Sequence, residues 1–356
     1  MSSPGLSLNT ATYATVSAGL HPSHTLPSKL KAIAEAGFRQ VELGFPDLQK
    51  YAKLEFPEYK TMDFAGRGSV ELLYETAKKV RAICRELGLE VFVVHPFLQF
   101  ETFEEGTKRE NMLARARVWF NVLKALDCRM MQVGSASNPA YGKDLDAIAN
   151  DFRLLADEAA SQDPPLRVAY EAWAWAEVVN TWELSWEVVK KVDRENFGLC
   201  LDTFHICARA YADPTSPSGL LPSASERLAS SLTTLTASLS PSPSKIFYLQ
   251  VSDACLPPSP SHILQESESE DVPVLFTWSK QYRPLPFMGE DYGGYLPVVD
   301  VVLAVMATGW RGAWSYEVFY GKDMGRDDPD VPKRWATAGW RSQRRIIEAL
   351  QDKGYQ

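Results

Sequence analysis

Three carboxylates and a carboxamide stand inside otherwise apolar runs, at matching places in each. They are Glu171 in RVAYEAW (167–173), Asp202 in GLCLDTFH (198–205), Gln250 in KIFYLQVSDA (245–254) and Glu317 in GAWSYEVF (312–319). If each run is a strand, its side chains alternate between two faces. Glu171 then shares a face with Ala169, Asp202 with Cys200, Gln250 with Tyr248 and Glu317 with Ser315, while Val168, Leu201, Leu249 and Tyr316 take the other. Carboxylates crowded together repel one another and lose hydration, and a divalent cation offsets both costs. All-oxygen ligation suits Mg²⁺ or Mn²⁺ first, with Co²⁺ or Zn²⁺ after them. A lone carboxylate at a strand end usually caps a helix or pairs at the surface. Four polar groups in register argue instead for one bound ion.

Other candidates surround this set. His205 lies three residues past Asp202, where an imidazole would serve as general base near neutral pH or cap the following loop. Glu42 in QVELGF (40–45) and His95 in LEVFVVHP (89–96) would assist proton movement, or serve as an ion pair and a structural histidine. Arg283 is the one cation in QYRPLPFMGED. It would grip a substrate carboxylate through two parallel bonds or lie solvated in its loop. Trp173 and Trp175 suit the mouth of a site, whereas Trp182 and Trp186, four apart, suit helix packing.

Such groups need a frame. Strand-like runs at 8–13, 40–45, 89–96, 129–134, 167–173, 198–205, 245–254 and 312–319 alternate with stretches at helical spacing, including 69–88, 107–127, 143–161 and 295–309. Ser69 and Gly88 bracket the first of these helices. Eight strand–helix units in 356 residues predict a single (β/α)8 barrel, one domain over 1–356, with its chemistry at the C-terminal strand ends. A doubly wound sheet would carry a glycine-rich turn after its first strand, and AGLHPSHTLP has none. Two Ser/Pro-rich stretches, 213–244 and 256–274, are predicted as elaborated loops after the sixth and seventh strands. The first holds one helix, SERLASSLTTL, and the second reads as mobile.

Lys plus Arg is 37 and Asp plus Glu 45, a net charge of −8. An acidic body of this kind argues against nucleic acid or an anionic membrane as partner. No apolar run reaches the roughly 20 residues of a membrane span, and the N-terminus lacks a secretory pattern. Five cysteines with no CxxC pair read as free thiols in the cytosol. Self-association into a homo-oligomer stays open.

YEAW, LDTFH, YLQVSDA and SYEVF, in this order and spacing, resemble the metal-binding strand ends of the xylose-isomerase-like barrel superfamily of isomerases, epimerases and dehydratases. The resemblance implies Glu171, Asp202, Gln250 and Glu317 as ligands of one divalent ion. Gln250 followed by VSDA, together with HPFLQFE and RPLPFMGED, is similar to the 3-dehydroshikimate dehydratases of quinate and shikimate breakdown. That likeness implies a small carboxylate substrate held by Arg283, a metal-stabilised enediolate, proton removal by His205, and protocatechuate and water as products. Endonuclease IV, also in the superfamily, needs a His-rich three-metal site, and this chain has five histidines in all. The other expectation from the same superfamily is a sugar or polyol isomerase or epimerase. There Glu171 and Glu317 would pass protons, and Arg283 would have no carboxylate to bind.

Overall fold

A computed structural model of the chain describes residues 11–101, 106–137 and 144–355. Its strands, in chain order, are β1 (Ala11–Ala14), β2 (Gln40–Gly44), β3 (Glu90–Phe97), β4 (Met130–Gly134), β5 (Arg167–Glu171), β6 (Phe197–Asp202), β7 (Ile246–Gln250), β8 (Tyr282–Arg283), β9 (Ala313–Tyr316) and β10 (Phe319–Tyr320). β1 to β7 and β9 pair in sequence, all parallel, and β9 closes on β1 through Thr12 opposite Ser315. This is the eight-stranded barrel that the alternation predicts. The start of the first expected strand, at 8–10, lies outside the described residues.

Helices cover the barrel: α1 (Leu26–Ala36), α2 (Phe45–Glu55), α3 (Val70–Glu86), α4 (Thr107–Leu126), α5 (Leu145–Ala160), α6 (Trp182–Val192), α7 (Thr203–Ala210), α8 (Ala224–Leu239), α9 (Pro260–Glu270), α10 (Val274–Gln281), α11 (Val298–Ala307), the single turn α12 (Gly321–Met324) and α13 (Val331–Asp352). Ser69 does precede α3, but its hydroxyl accepts the Lys60 N–H rather than one from the helix. Gly88 follows at φ 66°, a left-handed conformation that favours glycine. Among the described residues no helix is long and apolar enough to cross a membrane, and the five cysteines are free and buried.

The two faces of the strands separate as period-two alternation requires. Val168, Tyr170, Leu199, Leu201, Leu249 and Tyr316 join the large core between sheet and helices. Val93, Met130, Ala169, Cys200, Tyr248 and Ala313 form a small inner core within the barrel. One residue further along the same inward rows come His95, Gln132, Glu171, Asp202 and Gln250. The apolar inner layer is thus the floor beneath the polar groups.

Both Ser/Pro-rich stretches contain more structure than their composition suggests. In the first, Leu228, Leu232, Leu235 and Leu239 are buried along one face of α8, which thereby serves as a barrel-covering helix. The second is not an irregular loop. It folds as α9, opened by Ser259, whose hydroxyl accepts the His262 N–H, and anchored by buried Ile263. Ser267 of α9 donates to Thr277 of α10 at 2.9 Å. The chain then returns to the mouth as β8, which pairs antiparallel with β10 so that Arg283 lies opposite Phe319.

Candidate active site

Parallel register sets the strand ends level: Glu171 lies opposite Cys200, Asp202 opposite Gln250, and Gln250 opposite Ser315. β6 stops at Asp202 because that side chain opens a helix. Asp202 Oδ1 accepts the Phe204 N–H at 2.6 Å, capping α7. His205 therefore lies in the first turn of α7, not in a loop. Its Nε2 is 3.4 Å from Glu171 Oε1 and 3.9 Å from Asp202 Oδ2. Ligand atoms of Glu171, Asp202 and His205 all fall within 4.8 Å of one another.

The Ala174 N–H donates to His205 Nδ1 at 3.1 Å. A neutral ring that accepts at Nδ1 carries its hydrogen on Nε2. His205 thus presents a donor to Glu171, so in this arrangement Nε2 is neither a free base nor a lone-pair ligand. Burial, assisted by the positive charge of Arg283, holds its pKa well below the usual histidine value, so the ring is neutral.

Glu171 takes the opposite part. Its Oε2 accepts from Trp173 Nε1 at 2.9 Å and from the Gln132 amide, while Oε1 is buried with no hydrogen bond. Burial, then the charges of Glu317 and Asp202, raise its pKa well above that of an ordinary carboxylate. Burial also lifts Asp202 to about 6, against the pull of Arg283. Glu317 is held at about 2: burial opposes its ionisation, but the His95 hydrogen bond and the Arg283 charge outweigh it.

Arg283 is not an open hook. It is 1% exposed, and its Nη2 donates to Asp202 Oδ2 at 2.6 Å, to Ser252 at 2.9 Å and to the Glu317 carbonyl at 2.9 Å. Nη1 reaches Ser279 and Glu317 Oε2, and Nε reaches Ser252. A substrate carboxylate would have to displace these acceptors. The guanidinium, expected as a carboxylate anchor, is here the counter-ion of Asp202 and Glu317.

Glu42, an expected catalytic group, is fully buried. It is sealed at the floor of the site, where its carboxylate accepts from Tyr248 at 2.7 Å, from Gln250 Nε2 at 2.9 Å and from Ser315. With both oxygens engaged it fixes the Gln250 amide. Gln250 Oε1 in turn accepts from the Cys200 thiol at 3.3 Å. His95 Nδ1 lies 3.3 Å from Glu317 and 3.7 Å from Glu42, and its Nε2 has no partner. Burial alone would lower the His95 pKa, but the two carboxylates outweigh it and raise it.

Glu171, Asp202 and His205 are thus brought together compactly, with Arg283 bonded to Asp202 and Glu317, His95 against Glu317, and Gln250 opposite Asp202 in the sheet. The residues fit a cation. Like-charged buried carboxylates converge, and Glu171 Oε1 is buried without a hydrogen bond, with His205 Nε2 3.4 Å away. Trp173 and Trp175, whose ring centroids are 5.1 Å apart, flank this cluster: Trp173 donates to Glu171, and Trp175 packs against His205 at 5.0 Å. The sequence reading passed over Gln132, Ser252 and Ser279. Only Gln132 left a signal, a polar residue at inward parity in RMMQVG.

A family model described as xylose isomerase-like TIM barrel matches residues 30–349. A 3-dehydroshikimate dehydratase of Neurospora crassa is 35% identical over 334 residues, covering 92% of this chain and 90% of that protein. A protein of the same name from Pseudomonas aeruginosa is 33% identical over 83% of this chain but only 36% of its own length. Among solved structures, a xylose isomerase-like TIM barrel/4-hydroxyphenylpyruvate dioxygenase fusion protein aligns with a TM-score of 0.68 at 27% identity, covering 97% of this chain and 44% of that one. With a closed eight-stranded barrel and this match over nearly its whole length, the chain belongs to the xylose isomerase-like TIM barrel family.

Proposed function

We propose that the protein is a divalent-metal-dependent 3-dehydroshikimate dehydratase, a hydro-lyase that forms protocatechuate and water. The observation that carries this reading is the buried carboxylate set facing His205, in a chain 35% identical to a protein of that name across nine-tenths of both lengths. Glu171, Asp202, Gln250 and Glu317 would hold the ion, with Mg²⁺ or Mn²⁺ suited to their oxygen atoms. When bound, it supplies a Lewis acid that polarises the substrate carbonyl.

The chain's own residues do the rest. Arg283 neutralises and orients Asp202 and Glu317, and Glu42 fixes the Gln250 amide. Dehydration requires one proton to be taken from the carbon beside the carbonyl and one given to the departing hydroxyl. Glu171 Oε1 and the Nε2–H of His205 face each other as acceptor and donor 3.4 Å apart. Trp173 and Trp175 exclude water from one side of the mouth. We read the whole chain as one barrel domain acting in the cytosol on a small carboxylate.

The test is direct. Purified protein loaded with Mn²⁺ is mixed with 3-dehydroshikimate, and near-ultraviolet absorbance should grow as the aromatic product forms. Exhaustive chelation should abolish the signal and added ion restore it. Absence of product with Mg²⁺, Mn²⁺, Co²⁺ and Zn²⁺, alongside turnover of a ketohexose, would replace the dehydratase by an epimerase.

A further inference from the structure

Arg115, near the middle of α4, is a buried cation with no carboxylate in ion-pairing reach among the described residues. It is 4% exposed, and its one hydrogen bond there runs from Nη2 to the Leu98 carbonyl. Nε is buried with no partner. The guanidinium lies against two rings instead, 4.1 Å from the centroid of Phe97 and 5.1 Å from that of Phe64. Burial brings its pKa down to about 10, so it stays charged near neutral pH. Aromatic faces offset only part of the cost of burying a charge.

The same side chain helps to line a cavity of about 160 Å³. Phe45, Phe97, Leu98 and Trp119 supply apolar walls, with Phe45 stacked on Trp119 at 4.2 Å and Phe97 edge-on to it at 5.1 Å. An apolar space of about 150 Å³ takes one benzene ring. Gln49 adds a donor to the lining: its Oε1 accepts from the Tyr59 hydroxyl and the Met62 N–H, which leaves its NH₂ group to give. The one carboxylate in the lining, Asp63, is already engaged by Arg67 Nε at 3.1 Å and by the N–H groups of Ala65 and Arg67. This space is separate from the catalytic cluster. Phe97 lies opposite Val133 across an irregular stretch of β3, and both belong to the core between sheet and helices. None of Glu171, Asp202, His205 and Glu317 lines the cavity.

We propose that this cavity is a second binding site, for a monocyclic aromatic carboxylate of the benzoate type. Its carboxylate pairs with Arg115 and the Gln49 amide, and its ring lies against Phe97 and Trp119. A neutral ring would leave the guanidinium uncompensated, and an inorganic anion would leave the apolar walls unfilled. The assignment is independent of the dehydratase reading, and no bond is made or broken.

Calorimetric titration of the metal-loaded protein with benzoate, benzamide and inorganic phosphate tests it. Wild type should bind benzoate about tenfold or more tightly than benzamide, a neutral ring of the same shape, and than phosphate. Arg115→Met should lose that preference while still unfolding cooperatively in urea, and Arg115→Lys should recover part of it. Phe64 is 59% exposed, so Phe64→Ala keeps the fold even if Arg115→Met does not. It opens the ion pair to water and should weaken benzoate about threefold or more. A preference for benzoate that survives Arg115→Met would place the acid elsewhere, at the metal for example, and overturn the assignment. So would a wild type that binds benzamide or phosphate as tightly as benzoate, or that binds none of the three. Where Arg115→Met does not fold, unchanged benzoate affinity in Phe64→Ala overturns it as well.

Discussion

Arg283 reaches across 81 positions of sequence to place Nη2 2.6 Å from Asp202 Oδ2, while the other oxygen of Asp202 accepts the N–H that opens α7. One carboxylate thus joins a helix cap, an ion pair and the candidate metal site.

Removing the guanidinium leaves Asp202 and Glu317 buried with no counter-charge from it. Arg283→Ala is expected to cost about 3–5 kcal/mol of stability, the usual result of breaking a buried pair from one side. Arg283→Lys should recover only part, since an ammonium cannot span Asp202, Ser252, Ser279 and Glu317 together. Denaturant unfolding of the three proteins measures both effects. An Arg283→Ala protein as stable as wild type would show that the pair contributes nothing.

His205 should matter for turnover and not for the ion. With Nδ1 occupied by the Ala174 N–H, the ring offers a donor at Nε2, so His205→Ala should lower kcat about a hundredfold with a modest change in KM. His205→Gln, which can place an N–H there, should fall less. Metal content by atomic spectroscopy should match wild type in both variants; loss of the ion would make His205 a ligand.

The helical nature of the second Ser/Pro-rich stretch changes what a cut there does. Ile263 is fully buried between α9 and its neighbours. Ile263→Ala should therefore cost about 2–4 kcal/mol in urea unfolding, as for a core aliphatic side chain. Under 0.5 kcal/mol, the size of a surface substitution, would return the segment to the status of a loose loop.

Asp253 supplies a pH test remote from the proton chemistry. Its carboxyl accepts the Ala254 and Leu296 N–H groups, yet burial pushes its pKa up to about 7. The unfolded value is about 3.9, so its contribution to stability is full below about pH 4 and is lost as pH rises through about 7. Asp253→Asn cannot ionise. It should be more stable than wild type near pH 8, by up to roughly 4 kcal/mol, and the difference should vanish in acid. Thermal melts across this range decide the matter; parallel curves would mean that Asp253 ionises normally in the fold.

Much of the frame was legible because a buried barrel strand has a strict period of two. Val168 and Glu171 take opposite faces for that reason alone, and the inward set follows from counting. Short-range patterns carry no such information about β8 and β10, whose two-residue strands exist only because they meet each other. The helical start at Thr203 was hidden because LDTFH continues an apolar run, and only the Asp202 cap ends the strand. Glu42 looked catalytic by type. Its true setting depends on Tyr248 and Gln250, more than 200 positions away.

The two-residue ribbon joining Arg283 to Phe319 gives the architecture a modular quality. Everything between the end of β7 and Tyr282 is an excursion whose return point is clamped by backbone pairing to the segment after β9. Length and composition between 256 and 273 are thereby decoupled from the position of the guanidinium. Sister sequences can lengthen, shorten or rebuild that stretch while the charge at Asp202 stays in place, provided that α10 and the clamp persist.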